Sequence, residues 1–206
     1  MDNLSPRQTG SEPENAPPKS ARTWANTRDS WGTPAKFFHW LIAALIVAQV
    51  VLGLVAVRWP LSPLKLNLFV WHKSIGIMIL ALVALRLLSR LASPVPALPP
   101  DTPAWEHLAA RASHVLLYLV MIGLPVTGWI ISSASGIPFR IFWWIPLPAI
   151  VAADKQTAEL AAFAHYSLFV LLAALLAVHV GAALRHHYVK RNDVLARMLP
   201  FMGKSR

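Results

Sequence analysis

Apolar residues gather into four long stretches, separated by shorter connections that are mostly polar or rich in proline. The first lies between Lys36 and Arg58, begins FFHWLIAALIVAQ and holds 21 uncharged residues. The third, between Arg111 and Arg140, holds 28, and the fourth, between Glu159 and Arg185, holds 25. About 20 helical residues cross a bilayer core, so each of these is long enough. The second stretch has an uncharged centre of only 12 residues, Ser74 to Leu85. It spans if Lys73 and Arg86 sit near its ends and extend their charged tips to the interfaces. The pattern predicts helices over residues 34–57, 68–91, 109–133 and 160–186. In lipid the backbone must satisfy its own polar groups, which leaves helices or closed barrels. The stretches lack the two-residue alternation of barrel strands. The predicted fold class is an all-α membrane protein, a four-transmembrane-helix bundle filling residues 31–200.

The punctuation fits that reading. Pro125, between Gly123 and Gly128, is expected to kink the third helix. Trp40, Trp59, Trp71, Trp105, Trp129, Trp143 and Trp144 fall mostly near span ends, as an interfacial belt does. Residues 1–30 are polar, proline-rich and of mixed charge, without the apolar core of a secretory signal. They read as a disordered tail, and residues 201–206 as a short basic one. SPVPALPPDTP, between the second and third helices, reads as an extended linker.

Composition narrows the class further. Hydrophobic residues make up 56% of the 206-residue chain and charged ones 14%, against roughly 25% charged in soluble domains. With no cysteine, disulfides, thiolate metal sites, iron–sulfur clusters and thioether-linked haem are all excluded. The net charge of +10 would suggest nucleic acid in a soluble protein, but its distribution argues otherwise. Fourteen Lys and Arg residues fall on the side of the two termini and the second connection, and five on the other side: Arg58, Lys65, Lys73, Arg140 and Lys155. The positive-inside rule then places both termini in the cytoplasm and makes nucleic acid an improbable partner.

The eight histidines carry the chemical signal, because a polar ring inside a bilayer is costly without a function. The topology puts His39 and His179 near the cytoplasmic ends of helices one and four. It puts His72 and His165 near the external ends of helices two and four. His165 and His179 are 14 residues apart, so they share a helix face and lie about 21 Å apart along it. One helix thus offers a ligand at each of two depths, and helices one and two offer the other two. Paired neutral imidazoles suit low-spin, electron-transferring haem iron, which without cysteine must be non-covalent haem b. Zinc usually gathers several ligands around one tetrahedral site, and two pairs at opposite depths fit it less well. His186 is the alternative inner ligand, although it sits among charged residues at a wet interface. His114 is placed to contact a haem edge or a quinone, with a purely structural role as its alternative, and Met78 and Met121 are further iron-ligand types that more often serve packing. Arg86, Arg90, Arg111 and Arg185 on the inner side, and Lys73 and Arg140 on the outer, are candidate partners for haem propionates. Each has a lipid-phosphate alternative.

FHWLIA around His39, WHKSIGI around His72, LRLLSRL around Arg86 and Arg90, and LPVTGWI around Pro125 come in this order. They are followed by AHYSLFVLLAALLAVHVGAALRHHYVKRNDVLARMLP, which contains His165 and His179. Together they resemble the bacterial cytochrome b561 family, which includes superoxide oxidases, over residues 33–200. The resemblance implies two haems b with axial ligands at His39, His72, His165 and His179. It also implies a bacterial inner membrane and electron exchange with the ubiquinone pool. The long N-terminal tail departs from the family's shorter members and leaves room for an additional partner.

Three functions remain open on this reading. One is a diheme oxidoreductase passing single electrons from a small reductant to quinone. By the resemblance that reductant is superoxide, oxidised to oxygen, and the +3 balance of the external face would favour an anion. The second is a non-catalytic haem relay or anchor subunit for another redox protein. The third is a histidine-lined metal or proton transporter, against which the lack of intramembrane Asp and Glu counts. The aromatic segment GIPFRIFWWIPLP, residues 136–148, is placed to cap the outer site or shape a quinone pocket.

Overall fold

The structure, a computed structural model, describes residues 24–27, 30–99 and 102–199. The expected tails lie mostly outside these residues. Four helices dominate: α1 (Thr33–Arg58), α2 (Pro63–Leu91), α3 (Ala104–Ala134) and α4 (Lys155–Tyr188). Each is long and apolar enough to cross a membrane. Between α3 and α4 lies a small antiparallel hairpin, β1 (Phe139–Ile141) and β2 (Ile145–Leu147), with Arg140 opposite Pro146. Consecutive spans alternate in direction, so the start of α1, the end of α4 and the α2–α3 connection share one end of the bundle. The hairpin and the α1–α2 turn share the other. These are called the terminal end and the hairpin end below.

α2, α3 and α4 begin about five residues before the expected positions, because their first turns are polar or proline-led rather than apolar. Ser62 caps α2 by accepting the Lys65 N–H at 3.3 Å, with Pro63 in the first turn. Asp154 caps α4, accepting the Thr157 N–H at 2.7 Å and its hydroxyl at 2.6 Å. A hydropathy run cannot see such turns, since capping is polar chemistry. α3 continues through Pro125 to Ala134, and Gly136, at φ +66°, takes the left-handed conformation that turns the chain away. Asn26, Thr27 and Ser30, in the segment expected to be tail, form a hydrogen-bonded loop. In it the Gly32 N–H reaches Asn26 Oδ1 at 2.8 Å.

The outward faces are greasy: Phe163 is 73% exposed and Val47 65%. Such faces suit acyl chains rather than water. The interior is a thin layer of Ile42 and Ile46 from α1, Ile79 and Val83 from α2, Leu117 and Val120 from α3, and Leu172 from α4. Leu172 lies seven residues from each of His165 and His179, so this apolar layer separates two polar levels. α1 lies along α2, α2 along α3 and α3 along α4. α4 has no comparably close run of backbone against α1 or α2. Side chains span that wider gap.

Candidate functional site

Histidine rings bridge the gap at both levels. At the terminal end the rings of His39 on α1 and His179 on α4 have centroids 6.2 Å apart and planes inclined at 60°. At the hairpin end His72 on α2 and His165 on α4 stand 6.3 Å apart at 66°. All four are half-buried. The helical repeat explains the registration, since fourteen residues are close to four turns and bring both α4 rings to one face.

The two levels have different surroundings. At the hairpin end the His165 Nδ1 lies 3.0 Å from the Thr127 hydroxyl, which also sits 2.8 Å from the Gly123 carbonyl and 2.9 Å from that of Leu124. His72 Nδ1 is buried and lacks a hydrogen-bond partner, as does Gln49 Oε1. The Gln49 amide nitrogen instead donates to the His72 backbone carbonyl. Two glycines face the rings. A Cβ on Gly53 would lie 2.8 Å from His72 Cε1, and one on Gly128 would lie 3.5 Å from His165 Cε1. Of Thr127, Gly53, Gly128 and Gln49, only Thr127 and Gly128 carry a signal in the sequence, within LPVTGWI; Gly53 and Gln49 lie in a plain apolar run.

Over the hairpin end the β1–β2 turn is held down at one point. Buried Ser74, two residues beyond His72, accepts the Phe142 N–H at 2.8 Å. Trp71 meets the rings of Phe142 and Trp143 edge-on at 5.6 and 5.4 Å. Phe142 and Trp143 have φ of +45° and +67°. They are the central pair of a β-turn closed by the Trp144 N–H on the Ile141 carbonyl at 3.0 Å, within a three-residue loop; positive φ at both central positions normally favours Asn-Gly, so these contacts hold aromatic residues in a strained conformation. Lys73 Nζ lies 5.5 Å over the Phe139 ring. Arg140 reaches the Trp144 carbonyl at 3.5 Å.

At the terminal end a third ring joins, with His114 of α3 5.5 Å from His179. Arg86 donates to the Ala35 carbonyl at 2.8 Å, and Arg90 lies 5.9 Å over each of the Trp31 and Tyr118 rings. Glu106, only 8% exposed, gathers Lys190 at 2.6 Å, Arg185 at 3.1 Å and His186 Nε2 at 3.7 Å. His186 is therefore engaged with Glu106 and, at 2.9 Å, with Asn192, away from the ring pair. His107 is exposed, and Met121 packs on the apolar layer. The chain after α4 folds back beneath the bundle. Trp40 Nε1 donates to the Met198 carbonyl at 2.9 Å, Lys36 to that of Leu199 at 3.3 Å, and Arg197 to that of Ala97 at 2.8 Å. Among the described residues no group of three or more His, Cys, Asp or Glu forms a metal cluster.

Four apolar helices with imidazoles paired at two depths define a class: helical membrane proteins that carry histidine pairs inside the bundle. Comparison with known proteins makes this specific. A family model described as prokaryotic cytochrome b561 matches residues 30–201. The chain is 34% identical to cytochrome b561 homolog 2 of Escherichia coli K12, over 89% of this chain and 96% of that protein. It is 30% identical to cytochrome b561 homolog 1 of the same organism, over 63% and 73%. It is also 30% identical to the probable superoxide oxidase CybB of Yersinia pestis, over 79% and 91%. The chain belongs to the prokaryotic cytochrome b561 family. It is a bacterial membrane protein of haem b electron transfer.

Proposed function

We propose that this chain holds two haems b, one between His39 and His179 and one between His72 and His165, and oxidises superoxide with quinone as electron acceptor. The observation that carries the reading is the spacing of the two ring pairs. With a metal–imidazole bond of about 2 Å and a ring centroid about 1.1 Å behind its nitrogen, two facing imidazoles that held one iron between them would put their centroids about 6.3 Å apart. The separations of 6.2 and 6.3 Å fit that span. The unpartnered Nδ1 of His72 and the close approach of Gly53 to its ring also fit a site shaped around a group larger than the rings. Bound haem supplies a reversible one-electron couple at each level.

The residues do the rest. The imidazoles orient the cofactor, and the Ile42–Leu172 layer keeps water from the space between the levels. Arg86 and Arg90 at the terminal end and Lys73 at the hairpin end offer positive charge to propionates. At the hairpin end Arg58, Lys65, Lys73 and Arg140 have no carboxylate at ion-pair distance among the described residues, whereas Lys155 pairs with Glu159 at 3.8 Å. That excess attracts an anion. Two superoxide anions would yield two dioxygen molecules, and their two electrons, with two protons, would convert one quinone to quinol. Both termini would then be cytoplasmic, in the inner membrane, with the hairpin end outside.

Three measurements test this. The purified protein should contain two haems b per chain. His165→Ala should remove mainly the hairpin-end haem and His39→Ala mainly the other. Stopped-flow superoxide decay should accelerate when ubiquinone is added. Two haems without that acceleration would identify an electron relay for a partner subunit, and a haem-free protein would overturn the whole reading. Because the chain has no cysteine, single introduced cysteines at Arg140 and Arg197 report sidedness directly.

A further inference from the structure

We infer that Thr127 is a positioning residue for His165: its hydroxyl fixes the imidazole proton on Nδ1, presents Nε2 towards His72, and lowers the hairpin-end haem's potential. The inference rests on the haem assignment above and concerns a residue outside the ligand set.

The argument starts from the hydroxyl's single proton. Thr127 Oγ1 lies 2.8 Å from the Gly123 carbonyl oxygen and 2.9 Å from the Leu124 carbonyl oxygen. Turning its proton towards His165 would leave its lone pairs facing two carbonyl oxygens. Donation to the backbone is therefore favoured, as is usual for threonine within a helix. The oxygen then has only acceptor capacity to offer His165 Nδ1 at 3.0 Å, so Nδ1 must carry the proton. A neutral imidazole has one N–H, which leaves Nε2 as the free lone pair.

A hydrogen bond from the distal N–H of a ligating imidazole raises the ligand's basicity and favours the oxidised metal. His72 Nδ1 has no such partner, so the two ligands of this level differ. His165 is the oriented, more basic one.

The test compares Thr127→Val, which keeps the shape and removes the hydroxyl, with Thr127→Ser, which keeps the hydroxyl. Redox titration and low-temperature EPR are read on detergent-purified holoprotein. Thr127→Val should raise the midpoint of the hairpin-end haem by a threefold to tenfold change in equilibrium, about 30–60 mV for one electron. It should also move that haem's low-spin signal and leave the other haem unchanged, while Thr127→Ser stays close to wild type. Loss of the hairpin-end haem in the valine variant alone also supports the inference. Equal loss in both variants, an equal shift of both haems, or no shift at all overturns it. Nitrogen-15 NMR of the haem-free protein separates this inference from the haem assignment. His165 should be the Nδ1–H tautomer in wild type and a mixture in Thr127→Val, and an unchanged tautomer overturns the role of Thr127 whether or not His165 binds iron.

Discussion

Gly53→Ala is the sharpest perturbation the structure offers, because the added methyl has nowhere to go. Its carbon would sit 2.8 Å from His72 Cε1 and 3.2 Å from Nδ1. Carbon atoms in contact prefer about 3.5–4.0 Å, so the ring, or α1 itself, must retreat by roughly 0.7 Å or more. Metal–ligand bonds tolerate deviations of only about 0.2 Å. The displacement thus exceeds the tolerance several-fold, and the ring pair now at 6.3 Å would no longer suit a shared iron. Intrinsic helix preference works the other way, since alanine is favoured over glycine by about 0.5–1 kcal/mol in a helix interior. A defect therefore cannot be blamed on α1 unfolding. Two controls bracket the effect. At Gly128 the methyl would stand at 3.5 Å, an ordinary contact, and at Gly181 it would meet nothing within 4 Å. The assay is haem per chain by pyridine haemochrome, with EPR to identify which low-spin species remains. Gly53→Ala should fall from two haems towards one and lose the hairpin-end signal, while Gly128→Ala and Gly181→Ala keep both. Gly53→Ala with two haems and both signals unaltered would refute the reasoning.

Other consequences follow from the ends of the bundle. Ser74→Ala removes the acceptor of the Phe142 N–H, a loss of about 1–3 kcal/mol for a buried donor left without a partner. The strained 142–143 turn should then open, read as faster proteolysis within residues 137–150, and unchanged protection would count against the pinning role. Glu106→Ala strips Lys190 and Arg185 of their shared carboxylate. It should lower the melting temperature and expose residues 189–199 to protease; an intact segment at wild-type temperature would sink that account. The Thr157 hydroxyl and N–H hold the Asp154 carboxyl below its usual range. A depressed carboxyl contributes stability above its unfolded pKa and loses it as pH falls through the folded value. Hydrogen-exchange protection at residues 155–158, taken relative to intrinsic rates, should fall on acidification below the ordinary carboxylate range, and Asp154→Asn should abolish that pH dependence.

How much of this was legible beforehand depends on the kind of interaction. The spans were, because membrane insertion answers to apolar length, and so was the separation of His39 and His179 from His72 and His165 by depth. The early starts of α2 and α4 were not, because Ser62 and Asp154 act through single hydrogen bonds rather than through hydropathy. Glu106 was invisible for a related reason: its partners Arg185 and Lys190 lie about eighty residues away and look like interface charges. Arg90 was read as a propionate partner, and its packing over Trp31 and Tyr118 depends on three separate segments meeting.

The sequence by itself determined that the chain crosses a membrane four times, that no thiolate ligand exists, and that α4 carries histidines on one face at two levels. These are properties of composition and of a single helix's periodicity, which need no knowledge of neighbours. Only the tertiary structure decided which rings come within about 6 Å of each other. It alone put a threonine hydroxyl on His165 Nδ1, left His72 Nδ1 without a hydrogen-bond partner, and brought Gly53 against the His72 ring. Those facts come from the rotation of each helix about its axis and its height against the next. Both are set by packing between segments distant in sequence, which no local pattern records.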